Sequence, residues 1–399
     1  MTTLLLLIIY LAFISLGLPD ALLGTAWPVM QLELDLPMEV AGVLSMTITS
    51  GTIISSLASG RLLKRYGTGK VTSISVLMTA AALLGFYLAP SLIWLIICAI
   101  PLGLGAGAVD TGLNDYVAIN YEARHMSWLH SFWGVGASLS PIIMSQFILQ
   151  GHAWREGYLT ISIIQFALVA ILFLSIPLWS KVAATEESQL NQAIEAEATA
   201  SKTATKPLQV KGVKYALLTF LFYCGIEAGV GLWGSSFLVN IKNFDPAIAA
   251  RWVSFYYGGI TIGRFITGFI TFKMSNKALI RTGQMTALIG TILLFLPLPQ
   301  IFLMSSFVII GLGLAPIFPC MIHETPANFG KQHSQILIGY QMAAAYTGTT
   351  FIPPLIGLFA GQLTIAIFPP IAILLVAVML FSSEKLNQIN SVKSKQLSM

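Results

Sequence analysis

The sequence predicts an all-α membrane protein, with twelve transmembrane helices arranged as two six-helix bundles. Three observations predict it. Of 399 residues, 56% are hydrophobic and only 9% charged, whereas a soluble domain carries about a quarter charged residues. A water-soluble fold of this size could not hide that much apolar surface in one core. The apolar residues fall in runs of about 20, the length a helix needs to cross the hydrocarbon. Inside lipid such runs must be helical, because the backbone has to satisfy its own hydrogen bonds. Finally, the second half of the chain echoes the first at an offset of 208 residues.

The first half reads as spans near 3–30, 38–60, 70–88, 91–118, 126–150 and 157–180, and the second as spans near 213–240, 247–272, 277–296, 299–321, 332–358 and 362–382. The apolar N-terminus has no basic flank and no small-residue cleavage site after it, so it reads as the first span and not as a removed signal peptide. Between the halves, 181–212 is rich in Ala, Glu, Thr and Lys and has almost no large apolar residue. It reads as a linker, partly helical along the membrane surface. The expected units are therefore bundle 1–180, linker 181–212, bundle 213–383 and tail 384–399.

Lys and Arg set the orientation. One set of loops and ends holds Arg61, Lys64, Arg65, Lys70, Arg124, Lys181, Lys202, Lys206, Lys211, Lys214, Lys273, Lys277, Arg281, Lys331, Lys385, Lys393 and Lys395; the opposite set holds only Arg155, Lys242 and Arg251. Cytoplasmic loops carry the excess, which places both termini and the linker in the cytoplasm, in a multi-pass protein of the cell (inner) membrane. The net charge of +5 is spread over these loops and does not form a nucleic-acid-binding face. Cys98, Cys224 and Cys320 lie in apolar runs without CxxC spacing or neighbouring His, so they read as structural. No metal or cofactor is expected, and no catalytic constellation suggests an enzyme.

Polar residues inside spans are costly and mark function by default. The fourth span carries LGLGAGAVDTGLNDYV (102–117). Its glycines permit close helix packing, and Asp110 and Asn114 share one helix face at a spacing of four. A carboxylate there costs about 2.5–3.5 kcal/mol on insertion scales, so Asp110 should face a cavity. Asp115, nearer the helix end, reads as structural. The fifth span carries LHSFWGVGASLSP (129–141). His130 can donate, accept or titrate, though a lone His in a span is often only structural. Trp133 offers a flat face and one N–H donor, which suits the C–H face of a sugar ring. The seventh span carries FYCGIEAGVGLWGSSF (222–237), with Glu227 between glycines, and the first carries GLPDALLG (17–24), with Asp20 at a similar depth. Arg264 lies well inside the eighth span and needs a partner, as a static salt bridge or as a gate. Trp233 and Gln341 are further polar or aromatic candidates for the cavity. Trp27, Tyr256, Tyr257, Tyr340 and Tyr346 read mostly as packing. Duplicated halves place a binding site at the bilayer midplane between them.

These strings carry a family resemblance over most of the chain. The loop GRLLKRYGTGK (60–70) resembles the signature loop of the major facilitator superfamily. There a Gly lets two helices approach and basic residues pair with neighbouring helix ends, although Lys64 replaces the usual acid. VDTGLNDYV (109–117), LHSFWGVGA (129–137), YCGIEAG (223–229) and IGRFITGFITFKMSNKAL (262–279) are similar to the fucose–galactose–glucose:proton symporter branch. His130 and Glu227 stand where its bacterial fucose symporter has Gln. The helix 1 acid departs from that symporter, because Gly24 lies four residues before Pro28 and Asp20 lies one turn earlier. The resemblance implies alternating access driven by protons. Asp110 would take part in proton coupling, with Glu227 and Asp20 as further candidates. From their own chemistry Asn114, His130, Trp133, Trp233 and Gln341 are the candidates to meet a small polar solute, most simply a sugar. Arg264 is the candidate gate, with a static salt bridge as its other reading, in a chain expected to be a monomer. A proton-coupled antiporter exporting drugs or other organic solutes would use the same fold and acids. A sensor without transport would need a signalling domain or a long tail.

Overall fold

A computed structural model describes residues 2–121, 123–151, 154–197, 210–271 and 273–397. The expected helices form. The first span is two segments, α1 (Thr2–Asp20) and α2 (Leu22–Glu33). α3 (Val40–Tyr66), α4 (Thr68–Tyr87), α5 (Leu92–Asn120), α6 (Ala123–Leu149) and α7 (Trp154–Glu197) complete the first bundle. The second bundle comprises α8 (Val213–Lys242), α9 (Pro246–Ile270), α10 (Asn276–Phe295), the broken pair α11 (Gln300–Leu314) and α12 (Ile317–Phe329), α13 (Lys331–Gln362) and α14 (Phe368–Leu397). Among the described residues, eleven of the twelve spans are apolar enough to cross a bilayer on composition alone. The twelfth is α9, whose 25 residues reach about 37 Å. It falls short because it carries Arg251, Arg264 and many small or hydroxyl residues, and its surroundings explain that composition: it packs on α6, α8 and α11. α7 runs on as helix to Glu197 and α14 to Leu397, so helix crosses the positions expected to begin the linker and the tail. Residues 198–209 lie outside the described residues.

Local chemistry sets the helix limits. Asp245 caps α9, its carboxylate accepting from the Ala247 amide at 2.8 Å ahead of Pro246 at the first helical position. Gly67 joins α3 to α4 with φ +78°, a conformation glycine adopts without strain. Pro19 removes the N–H that would bond the Ser15 carbonyl. Gln165 of α7 donates to that carbonyl at 2.8 Å, while its side-chain oxygen accepts from Thr79 of α4 at 2.7 Å. The proline therefore costs no unsatisfied group, and three helices are tied together.

Glycine stripes seat the helices. A Cβ on Gly103 would lie 2.0 Å from the Ile48 carbonyl oxygen and one on Gly107 2.2 Å from that of Thr52, so α5 meets α3 backbone to backbone. Thr52 and Ser56 use the approach to donate to the Gly103 and Gly107 carbonyls at 3.3 and 3.2 Å. At the offset seen in the sequence, a Cβ on Gly311 would lie 2.1 Å from the Tyr256 carbonyl oxygen, and α11 sits on α9 as α5 sits on α3. The packing repeats with the sequence. Between the bundles the contacts also come in symmetry-related pairs: α3 with α13 and α6 with α9, beside α2 with α8.

These inter-bundle contacts concentrate away from the basic loops. Gly24 packs on the backbone of Gly231 and Leu232, Gly42 on Pro354, and Glu39 on Gly357 and Gly361. Arg251 donates to Ser145 at 3.0 Å and Ser254 to the Ser138 carbonyl at 2.7 Å. At the basic end, the glycine expected to bring helices together, Gly60, and its counterpart Gly268 have nothing within 4 Å of an added Cβ. The helix approach expected there is absent because the bundles are closed at the opposite end in this structure.

Candidate functional site

Midway along the interface, two helices from each bundle converge on one polar cluster. Asp20 ends α1 at the break with α2. Its carboxylate accepts from the indole N–H of Trp133, on α6, at 2.7 Å. Arg264, on α9, lays its guanidinium over the Trp133 ring, 5.2 Å from the centroid. The same guanidinium lies 3.6 Å from Glu227 Oε1 and 3.4 Å from the Tyr223 hydroxyl, both on α8. The chain Asp20–Trp133–Arg264–Glu227 thus crosses from one bundle to the other. Tyr257 meets Trp133 edge to face at 6.2 Å, and the Tyr256 hydroxyl donates to the Glu227 carbonyl at 3.0 Å. Asp20 keeps solvent-accessible surface at the break between α1 and α2.

A second polar group faces the same space from α5. Asn114 donates to the Asp110 carboxylate at 2.9 Å and to its backbone carbonyl at 3.0 Å. Its own side-chain oxygen is buried without a partner. Asp110 is within electrostatic reach of Asp20 and of Tyr346 on α13. His130, one turn before Trp133, stands edge-on to Phe13 at 5.8 Å and within electrostatic reach of Arg264.

Seven of the nine residues singled out in the sequence are therefore brought together: Asp20, Asp110, Asn114, His130, Trp133, Glu227 and Arg264. Trp233 and Gln341 are not. Trp233 is fully buried, donates to the Pro353 carbonyl at 2.8 Å, and packs on Gly357. Gln341 is 2% exposed and accepts from Thr325 at 2.9 Å. Both fasten α13 within its own bundle. The side chain of Asp115 lies outside the described residues. Tyr223 was not singled out, yet it precedes Glu227 by four positions and so shares its helix face. Among the described residues no cluster of three or more His, Cys, Asp or Glu side chains is arranged to hold a metal.

Two duplicated six-helix bundles closed over a central polar cluster define a polytopic transporter. A profile of the Major Facilitator Superfamily matches residues 9–334, and the chain belongs to that family; it is a transporter rather than an enzyme. The glucose/mannose transporter GlcP of Bacillus subtilis is 24% identical over 378 residues, 92% of each chain. The glucose/galactose transporter of Brucella abortus is 26% identical over 309 residues, 71% of this chain and 70% of that protein. Both are consistent with the fucose–galactose–glucose:proton symporter branch. Among solved structures, the inward open conformation of the xylose transporter XylE from E. coli matches with a TM-score of 0.73 at 15% identity, covering 95% of this chain and 96% of that one. A bacterial homologue of the lysosomal transporter Spinster, inward-facing and unoccupied, matches with 0.72 at 12% identity, covering 97% and 98%. These two likenesses bear on the fold.

Proposed function

We propose that the protein is a proton-coupled sugar symporter of the cell (inner) membrane, acting as a monomer. Both termini and the segment between the bundles would be cytoplasmic, with units 1–180, 181–212, 213–383 and 384–399. The observation that carries the reading is the cluster around Trp133. It is a flat indole face at mid-interface, flanked by carboxylates, a guanidinium and phenolic hydroxyls drawn from both bundles. A sugar offers a C–H face to the ring and hydroxyls to the polar rim. Full-length similarity to a glucose/mannose transporter supports the same class.

In this reading Asp110 carries the coupling proton, with Glu227 and Asp20 as reserve acids. Trp133, Asn114 and His130 meet the solute, and Arg264 gates by linking the bundles. Trp233 and Gln341, spent on packing, leave the solute-binding set. Rocking of the bundles about the cluster would open the closed end and shut the basic end.

A thermal-shift screen of the purified protein tests the class, since a ligand that binds only the folded state raises apparent stability. Glucose, mannose, galactose and xylose are expected to stabilise it, and disaccharides and cationic drugs are not. Stabilisation by cationic drugs alone would replace symport of sugar with drug export. Impermeant thiol labelling of single cysteines placed in 185–205, in intact cells, is expected to fail; labelling from outside would invert the orientation.

A further inference from the structure

The face of Trp133 assigned to a sugar is already covered in this structure. Arg264 sits over it, with its Cζ 5.2 Å from the ring centroid, a cation–π distance. The indole cannot turn aside, because its N–H is committed to Asp20 at 2.7 Å and Tyr257 meets it edge to face. Arg264 is the movable partner. Its terminal nitrogen hangs 3.6 Å from Glu227 and 3.4 Å from Tyr223. Both distances exceed the roughly 2.7–2.9 Å of an engaged charge-assisted hydrogen bond. The guanidinium is therefore shared between an aromatic face in one bundle and an acid in the other, and it is fully engaged with neither. A planar fork suited to a carboxylate can close that gap with a small side-chain shift, and in doing so it uncovers the ring.

We propose that solute and Arg264 compete for one face of Trp133, so that solute binding transfers the guanidinium to Glu227. The inference rests on the sugar reading and adds a coupling to it. An empty site holds the bundles together through the Arg264–Trp133 contact. A filled site breaks that contact and tightens the α8–α9 pair within one bundle. Substrate thereby loosens the inter-bundle tie at the point where the bundles must rock. Arg264 opposes solute affinity and supports turnover, the reverse of what a residue hydrogen-bonded to the sugar would do.

Equilibrium binding of radiolabelled D-glucose to the purified full-length protein in detergent tests this. Arg264→Ala is expected to tighten glucose binding several-fold while slowing uptake into proteoliposomes. Arg264→Gln, a milder change, should shift affinity in the same direction. In a Trp133→Leu background, removing Arg264 should leave affinity unchanged, because there is no face left to contest. Glu227→Gln, which takes away the guanidinium's other home, should weaken binding. If wild-type protein binds glucose and both Arg264 variants bind it more weakly or equally well, the competition is overturned while the sugar reading stands. If wild-type protein binds none of glucose, mannose, galactose and xylose, the sugar reading falls and this inference falls with it.

Discussion

Asp110 and Glu227 face the space between the bundles from opposite sides, and they keep opposite company. Asp110 has a neutral partner, the Asn114 amide at 2.9 Å. Glu227 has a cation, Arg264 at 3.6 Å. The difference teaches which acid can change charge during a cycle. A proton added to Asp110 strands nothing, because an amide bonds a carboxylate or a carboxylic acid alike. A proton added to Glu227 leaves a partly buried guanidinium without its counter-ion, and unpaired charge in a low-dielectric interior is expensive. The neutral dyad suits a proton carrier, and the charged pair suits a brace between α8 and α9 within one bundle.

The sharpest way to break this comparison is Asp110→Asn, which keeps shape and hydrogen bonding but removes titration. One pH unit is worth about 1.4 kcal/mol, so a one-proton symporter given a one-unit gradient can accumulate solute about tenfold. Asp110→Asn in proteoliposomes is expected to lose that accumulation entirely while solute exchange at equal pH persists. Accumulation by the variant would move the proton to Glu227, then to Asp20, and erase the contrast.

Glu227→Gln should have a different and smaller effect. Removing one partner of a fully buried ion pair costs about 3–5 kcal/mol. This pair keeps 13% and 18% of its side-chain surface exposed, so a cost nearer about 1–3 kcal/mol is expected after solvent screening. The variant should melt several degrees lower and transport more slowly, yet still accumulate solute in response to a pH gradient. Adding Arg264→Gln should recover part of the lost stability, because the stranded cation goes too. Loss of accumulation with unchanged melting would show that the two acids had been assigned the wrong way round.

Much of this architecture was legible in the sequence, for physical reasons. Span length follows from bilayer thickness, and the 208-residue offset ties Gly103 to Gly311, which make matching backbone contacts. Polar residues inside spans pointed to the cluster because burial against lipid is too costly for them. Rotation about each helix axis was not legible. Trp233 and Gln341 look like cavity residues by depth and polarity alone, but their helix faces turn into their own bundle, where Pro353 and Thr325 satisfy them. Gly60 fits a helix-approach site by position, yet whether the helices approach depends on which end of the interface is closed. Tyr223 was recoverable from its i−4 spacing to Glu227, whereas the cover of Arg264 over Trp133 joins residues 131 positions apart and needs the fold.

The smallest expected effect belongs to Asn114, and it sharpens the comparison from the neutral side. Its amide group is spent twice on Asp110, on the carboxylate and on the backbone carbonyl, while its oxygen is buried with no partner. An unsatisfied buried acceptor costs about 1–3 kcal/mol, so a hydroxyl donor arriving there would be welcome. A solute O–H fits, and Asn114 would then join the proton site to the solute site through one amide. Asn114→Ala removes one net hydrogen bond, about 0.5–1.5 kcal/mol, or about two- to tenfold in affinity. Competition binding with a series of deoxyglucoses checks the assignment. The deoxy-sugar lacking the hydroxyl that meets Asn114 should bind wild-type protein more weakly by about the same factor, and should lose nothing further in the variant. If every deoxy-sugar still loses affinity in the Asn114→Ala background as it does in wild type, Asn114 makes no solute contact. If the variant instead loses accumulation as Asp110→Asn does, the amide belongs to the proton site alone and the dyad does not bridge the two.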